Sequence, residues 1–403
     1  MPSTPRHTRM SAALVVLTLS TLLGLQPITT DLYLPALPVL TQDLGASMAQ
    51  AQLTLTALLL AFGASQLVWG PVSDRFGRRP VLLVGMVAYL LASVASALSP
   101  SMDLLIVWRT LQGVAMGAGV MCARAIVRDL YAPAQGATVM SKGLSGLGVI
   151  ACLAAPVGGA LTSAWSWHAA LLALAVFGGA ALALIAWRFE ETLAHKDPRA
   201  LQPRRMLRTW WLILRNAQFV AFSALSMASY GGLFTFLAAS SFVYIRVLGF
   251  STTQYGLTMF LNSFVYLLGT FACRRLVARF GVRRSVAIAG LFSLVGGASM
   301  LLLAWSGVVA GWAIMLPMAF FIFAHGIHQP CGQSGAVAPF PQAAGAASAL
   351  NGFLMMLAAF ATGQWLGTHM DGTVLPLATG MCFWSTLLAL SAWTLVHRYG
   401  PVR

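Results

Sequence analysis

Two charged residues stand where charge is costly. Asp31 and Arg109 each interrupt a long apolar run, in a chain of 403 residues that is 59% hydrophobic and 8% charged. A carboxylate that alternates between an apolar setting and a cationic neighbour can load and release a proton. An arginine keeps its charge, so Arg109 must meet an acid, a carbonyl or water. Gln112 follows it at i+3, on the same helical face, and extends the hydrogen-bonding set. The chemistry open to such a set is proton binding tied to a change of surroundings, with Asp31 as carrier and Arg109 and Gln112 tuning it. Two plainer readings stand beside it. Asp31, with Pro35 and Pro38 close by, reads also as a solvated acid at the mouth of its helix. Arg109 reads also as a brace that holds neighbouring helices through their backbone carbonyls.

The elements that position these residues follow from composition. Soluble domains carry roughly 25% charged residues, and 8% cannot keep a chain of this size in water. The mean hydropathy is +0.80. A membrane span needs about 20 mostly apolar residues. Twelve such segments are predicted, at 11–34, 49–69, 80–99, 103–125, 137–162, 167–188, 217–243, 252–273, 285–305, 310–330, 342–366 and 373–396. Asp31 is the only carboxylate set well within one of them. The basic start, with Arg6 and Arg9 ahead of the run from Met10, reads as an uncleaved first span because further spans follow at once.

Lys and Arg collect on cytoplasmic loops of membrane proteins. With the N-terminus placed inside, 21 of the 24 Lys and Arg fall on inner loops, helix ends and tails. They include Arg6, Arg9, Arg75, Arg78, Arg79, Arg124 and Arg128, a cluster over 188–215, a cluster over 274–284, and Arg398 and Arg403. Only Arg246 falls outside, while Arg109 and Lys142 lie within spans. Both termini are therefore expected in the cytoplasm. The net charge of +15 then addresses anionic lipid rather than nucleic acid. The polar stretch 189–216 divides the chain into an N-terminal half (1–188) and a C-terminal half (217–403). Ser73-Asp-Arg-Phe-Gly-Arg-Arg79 and Ala278-Arg-Phe-Gly-Val-Arg-Arg284 stand at matched places, each between the second and third span of its half. That is an internal repeat, the pattern of two six-helix halves around a central cavity. The expected fold class is an all-α membrane protein of twelve spans in two pseudo-symmetric halves.

Gly70-Pro-Val-Ser-Asp-Arg-Phe-Gly-Arg-Arg-Pro80 resembles the signature loop of the major facilitator superfamily. Arg109-Thr-Leu-Gln-Gly113 with Gly117 resembles the fourth-span motif of its proton-linked members. Pro156-Val-Gly-Gly159 resembles the fifth-span motif of its drug antiporters, with Ala155 where a Gly is usual. Asp31-Leu-Tyr-Leu-Pro-Ala-Leu-Pro38, Arg128-Asp-Leu-Tyr131 and Phe242-Val-Tyr244 resemble the Bcr/CflA drug-resistance branch. Ser240-Ser241 and Trp167-His168 depart from that branch, which often has Ser-Pro and Trp-Arg there. The resemblance implies proton-coupled export of small amphipathic compounds of the chloramphenicol or bicyclomycin kind, by a bacterial inner-membrane protein that works as a monomer without a cofactor. It also implies a conformational latch at Gly70, Asp74, Arg75, Gly77, Arg78 and Arg79, with Asp74 meeting the start of the eleventh span near Gln342. Pro156, Gly158 and Gly159 are expected to kink the fifth span and let the halves slide.

Tyr33, Tyr230, Phe234, Asn262, Tyr266 and Met355 are expected on the cavity wall, because Met and aromatic surfaces suit varied apolar ligands. His325 and His328 share a helix face at i, i+3, read as packing or interfacial histidines, with a metal pair or a second titrating site as the alternatives. No metal site is expected, since Cys122, Cys152, Cys273, Cys331 and Cys382 are scattered and lack metal-ligand spacing. No GxxxxGK[ST], HExxH or GxSxG occurs, and no paired catalytic constellation argues for an enzyme. A proton-linked carrier of one specific metabolite is the rival reading.

Overall fold

The structure is a computed structural model, and it describes residues 10–131 and 133–400. Arg6, Arg9 and Arg403, used above to orient the chain, lie outside the described residues. All regular structure among the described residues is helical. The first span is α1 (Ala12–Asp31), continued through a tight turn at Leu34–Ala36 by α2 (Leu37–Asp43). Pro35 opens the tight turn without an N–H to donate, and Pro38 falls in the first turn of α2, where the missing N–H has no helical partner to lose. Then come α3 (Met48–Phe76), α4 (Arg78–Ala97), α5 (Met102–Leu130), α6 (Pro133–Ala164) and α7 (Trp167–Arg188). A linker helix, α8 (Pro203–Leu214), leads to α9 (Ala217–Phe242), α10 (Thr252–Trp305), α11 (Gly311–Val337), α12 (Ala344–His369), α13 (Leu375–Ser391) and the short α14 (His397–Tyr399).

Among the described residues, eleven helical stretches are long and apolar enough to cross a membrane. One, α10, has 54 residues and leaves helical geometry at Gly281, with φ 75° and ψ 172°. It therefore supplies two spans, and the predicted twelve stand. The linker is not the plain polar loop expected, because α8 occupies nearly half of it. Large apolar residues such as Val84, Leu91, Val176, Leu291 and Leu302 are exposed all around the bundle. Exposure of that kind fits a protein whose outer solvent is hydrocarbon.

The internal repeat is physical. Ser47 and Gln50 close a capping box at the start of α3, and Ser251 and Gln254 close one at the start of α10. Each box stands the same distance along the chain ahead of a positive-φ glycine, Gly77 (φ 109°) or Gly281 (φ 75°). Those glycines make the turns into the third and ninth spans, in a backbone region that is essentially closed to side-chain-bearing residues. Two matched arginines then anchor the turns. The Arg79 Nη2 donates to the Ala186 carbonyl near the end of α7 (2.9 Å), and the Arg283 Nε donates to the Gly400 carbonyl at the chain's end (2.7 Å). These turns, both ends of the described chain and α8 share one end of the bundle, the basic end.

Gly281→Ala is expected to destabilise the detergent-solubilised protein by about 1–3 kcal/mol, because it places a side chain at positive φ. Gly179→Ala is the control, since a methyl there meets nothing nearer than Leu90 at 3.9 Å. Melting midpoints read by size exclusion after heating should fall only for Gly281→Ala. Equal midpoints would remove the positive-φ requirement.

Candidate functional site

Arg109 lies on α5 and has no exposed surface. Its Nη1 donates to Gln112 Oε1 (2.7 Å) and its Nη2 to the Thr29 carbonyl (3.0 Å) in the last turn of α1. Its guanidinium carbon sits 4.4 Å from the centre of the Tyr33 ring. A desolvated cation–π contact of this kind is worth about 2 kcal/mol. The network closes on itself. Gln112 Nε2 donates to Ser93 Oγ (2.7 Å), and Ser93 Oγ donates to the Tyr89 carbonyl (2.7 Å). The Tyr89 hydroxyl meets Thr29 Oγ1 at 2.6 Å, and Thr29 Oγ1 donates to the Leu25 carbonyl. Three helices (α1, α4 and α5) are tied by this ring. No carboxylate lies within ion-pair distance of Arg109 among the described residues.

Asp31 and Arg109 are therefore not an ion pair here. The Asp31 Oδ1 accepts from Thr30 Oγ1 (2.8 Å) and borders a cavity of about 550 Å³ between the halves. Arg109 does not reach that cavity. The end of α1 carries the carboxylate on its cavity side and presents the Thr29 carbonyl to the guanidinium. Two residues of sequence link the two groups, so a shift of α1 moves both environments together.

Asp31 is the one acid on the cavity wall among the described residues. Tyr230, Asn262, Tyr266 and Met355 also line it, as the sequence leads one to expect. Tyr33 and Phe234 do not. Tyr33 is buried under Arg109 and donates to Thr54 Oγ1 (2.9 Å), while Phe234 packs beside Gly363. The wall adds groups the sequence did not single out: Gln26, Gln66, Arg124, Gln329, Gln333 and Asn351. Their signal was a set of polar residues lying in or beside apolar spans. His325 lines the cavity and bonds Ser229 Oγ through Nδ1 (2.8 Å), while His328 meets the Val286 carbonyl (3.2 Å). Among the described residues no three His, Cys, Asp or Glu cluster as a metal site would need.

The end opposite the basic one is closed. Arg246 Nη2 donates to the Pro38 carbonyl (2.7 Å), and Ser163 Oγ meets Thr252 and Thr253 Oγ1 at 2.6 and 2.9 Å. A methyl on Gly158 would overlap the Leu32 carbonyl, and one on Gly159 the Thr252 carbonyl. A methyl on Gly256 of α10 would lie 2.8 Å from the Ala155 carbonyl. Pro156 lies inside α6, which runs from Pro133 to Ala164. In the Pro-Val-Gly-Gly stretch, Gly158 and Gly159 let backbones touch.

Toward the basic end the halves part, bridged there by Arg124 Nη1 donating to Ser348 Oγ (2.8 Å). Cavities of about 250 and 540 Å³ adjoin the central one there. In the latch, Arg78 donates to Asp74 Oδ1 (2.6 Å), Ser73 Oγ (2.7 Å) and Asp129 Oδ2 (2.9 Å). Asp74 does not touch the start of α12. The smaller cavity lies between Gly70, Asp74 and Arg78 on one side and Gln342, Ala343 and Gly345 on the other. The physical reason is the parting itself, which leaves Asp74 to Arg78 alone. Arg75 is exposed over the Phe76 ring at 5.5 Å. One residue at this turn was missed. The Glu191 carboxylate accepts from the backbone N–H of Arg78 (2.9 Å) and Arg79 (3.1 Å) and so caps α4. Its signal was the pair Glu190-Glu191, two of only nine acids in the chain.

Comparison with known proteins agrees with this architecture. The sequence profile of the Major Facilitator Superfamily matches residues 19–363. Multidrug resistance protein D of Escherichia coli is 32% identical over 84% of this chain and 85% of its own length. The bicyclomycin resistance protein homolog of Haemophilus influenzae is 29% identical over 93% and 92%. The chloramphenicol resistance protein of Pseudomonas aeruginosa is 31% identical over 77% and 72%. In fold, a D-xylose–proton symporter superposes with a TM-score of 0.72 at 18% identity, over 95% of this chain and 97% of that one.

Gly256→Val should hold open the closed end. Cys152 lines the cavity, so an impermeant maleimide added from that side should label it about tenfold faster in the variant, equivalent to about 1.4 kcal/mol in the closing equilibrium. Unchanged labelling would show that the glycine contact does not seal this end.

Proposed function

The chain belongs to the major facilitator superfamily, and on that premise we propose that it exports small amphipathic compounds in exchange for protons by alternating access. The observation that carries the reading is the lone carboxylate on the cavity wall. Asp31 faces a space large enough for a drug-sized molecule, with walls that are mostly apolar but carry several carboxamides. A proton and a cargo cannot both be held best by one carboxylate at one time, so binding of either favours release of the other. The names of the relatives support drugs over a single nutrient as the cargo class.

The cycle uses the chain's own groups. Cargo enters from the parted basic end and settles near Tyr230, Asn262, Tyr266 and Met355. The halves then close at the basic end, where Asp74 moves toward the start of α12. The opposite end opens as the glycine contacts of α6 and α10 separate. Asp31 takes a proton there as the cargo leaves, and gives it up at the basic side. Arg109 with Gln112 acts as a positioning pair, coupling the charge state of Asp31 to the α4–α5 packing through the end of α1. In this reading the basic end faces the cytoplasm and the protein sits in a bacterial inner membrane; the distribution of Lys and Arg supports the orientation and the bacterial relatives support the membrane. The working unit is the monomer, and no cofactor or nucleic acid takes part.

The test is drug-driven consumption of an imposed proton gradient in inverted vesicles, with a chloramphenicol-like panel. Wild type should consume the gradient on drug addition, and Asp31→Asn should lose at least about tenfold of that rate while binding drug within a few-fold of wild type. A wild type that ignores every drug yet responds to a nutrient would move the metabolite carrier ahead.

A further inference from the structure

The linker helix α8 has three distinct faces. Met206, Thr209, Trp210 and Ile213 pack inward, at the i, i+3, i+4, i+7 spacing of one helix face. A second stripe, Leu207, Trp211 and Leu214, recurs at i, i+4, i+7 and is 60%, 56% and 40% exposed. Beside it runs a third row, Arg204, Arg208 and Arg215, where the 100° step of the helix puts all three within one narrow sector. None of these three arginines has an acid within ion-pair distance among the described residues; the one ion pair of the helix is Arg205 with Asp197. The Arg215 guanidinium lies 4.5 Å from the Trp211 ring, at the seam between the apolar and cationic rows.

Leu212, 58% exposed, flanks the arginine row on its other side, so the arginines run between exposed apolar side chains. A solvated helix has no reason to expose so many large apolar side chains around a row of arginines. A helix lying in a membrane interface has that reason, since the stripe enters the acyl boundary and the arginines stay among headgroups. The position agrees. The helix lies at the basic end, in the linker between α7 and α9, ending two residues ahead of the start of α9.

We infer that α8 lies in the leaflet at the basic end and binds anionic phospholipid headgroups through Arg204, Arg208 and Arg215, with Leu207, Trp211 and Leu214 in the acyl boundary. The consequence reaches the latch. Arg205, Met206, Thr209 and Trp210 line the cleft that separates Asp74 and Arg78 from Gln342 and Gly345. That cleft must narrow for the basic end to close, so lipid charge sets the position of one of its walls. None of this depends on what the protein carries.

The experiment uses the full chain in vesicles of phosphatidylcholine, with and without phosphatidylglycerol. A nitroxide at Leu207→Cys, on a background freed of the native thiols, reports depth by collision with oxygen against an aqueous nickel chelate. The label should read as acyl-embedded, and deeper when phosphatidylglycerol is present. Spin-labelled phosphatidylglycerol should associate with wild type and lose about fivefold for each of Arg204→Gln, Arg208→Gln and Arg215→Gln. A monodisperse size-exclusion peak establishes that each variant is folded. A label that reads aqueous in both vesicles would overturn the membrane assignment and leave water or a protein partner on that face. A triple variant that retains phosphatidylglycerol would overturn the headgroup assignment.

Discussion

In hydrocarbon no water stands ready to satisfy a free carbonyl or a buried charge, and this constraint decides how the polar residues of the chain are spent. Arg109 shows it most sharply. Its charge is met by a carbonyl, a carboxamide and a ring face, with no acid at hand. That solution leaves Asp31 uncommitted. Had the two formed a tight ion pair, the carboxylate would be stabilised in one charge state and of little use as a carrier. The ring of hydrogen bonds through Gln112, Ser93, Tyr89 and Thr29 thus does two things. It gives both terminal guanidinium nitrogens of Arg109 an acceptor, leaving Nε without one, and it keeps the arginine away from the cavity.

The same constraint shapes how the halves meet. Closure at one end relies on glycines that bring backbones into contact and on a few hydroxyl and carbonyl contacts between Ser163, Thr252 and Gly159. Small residues give close packing without leaving polar groups stranded when the contact opens. At the basic end the groups beside the cleft are largely charged, with Arg78 paired to Asp74 and Asp129.

The spans, the repeat and the charged pair were legible because charge and turn residues stand out against an apolar background. Gly77 and Gly281 could be placed from sequence alone, since the same Arg-Phe-Gly turn recurs. Rotation about a helix axis could not. Tyr33 and Phe234 carry the right chemistry for a cavity wall, yet a turn of roughly 100° per residue puts them elsewhere. The partner of Arg109 was hidden for another reason: a backbone carbonyl has no sequence signature. Glu191 caps α4 across more than a hundred positions of chain, a contact that needs the folded linker to be known. The arginines of α8 read as a charge run until their phase against Leu207 and Trp211 is drawn.

The linker has less slack than its length suggests. Its first part is fastened to the N-terminal half, by Glu191 at the start of α4 and by the Asp197 N–H on the Asp74 carbonyl (3.0 Å). Its last part, α8, packs on α9 and α12 of the other half. Residues 198–202 alone are left to span between them, and at roughly 3.5 Å each they reach no farther than about 18 Å. This is a leash. It sets a mechanical stop on how wide the basic end can gape, so the largest molecule admitted is limited by a short piece of chain outside the cavity as well as by the cavity wall.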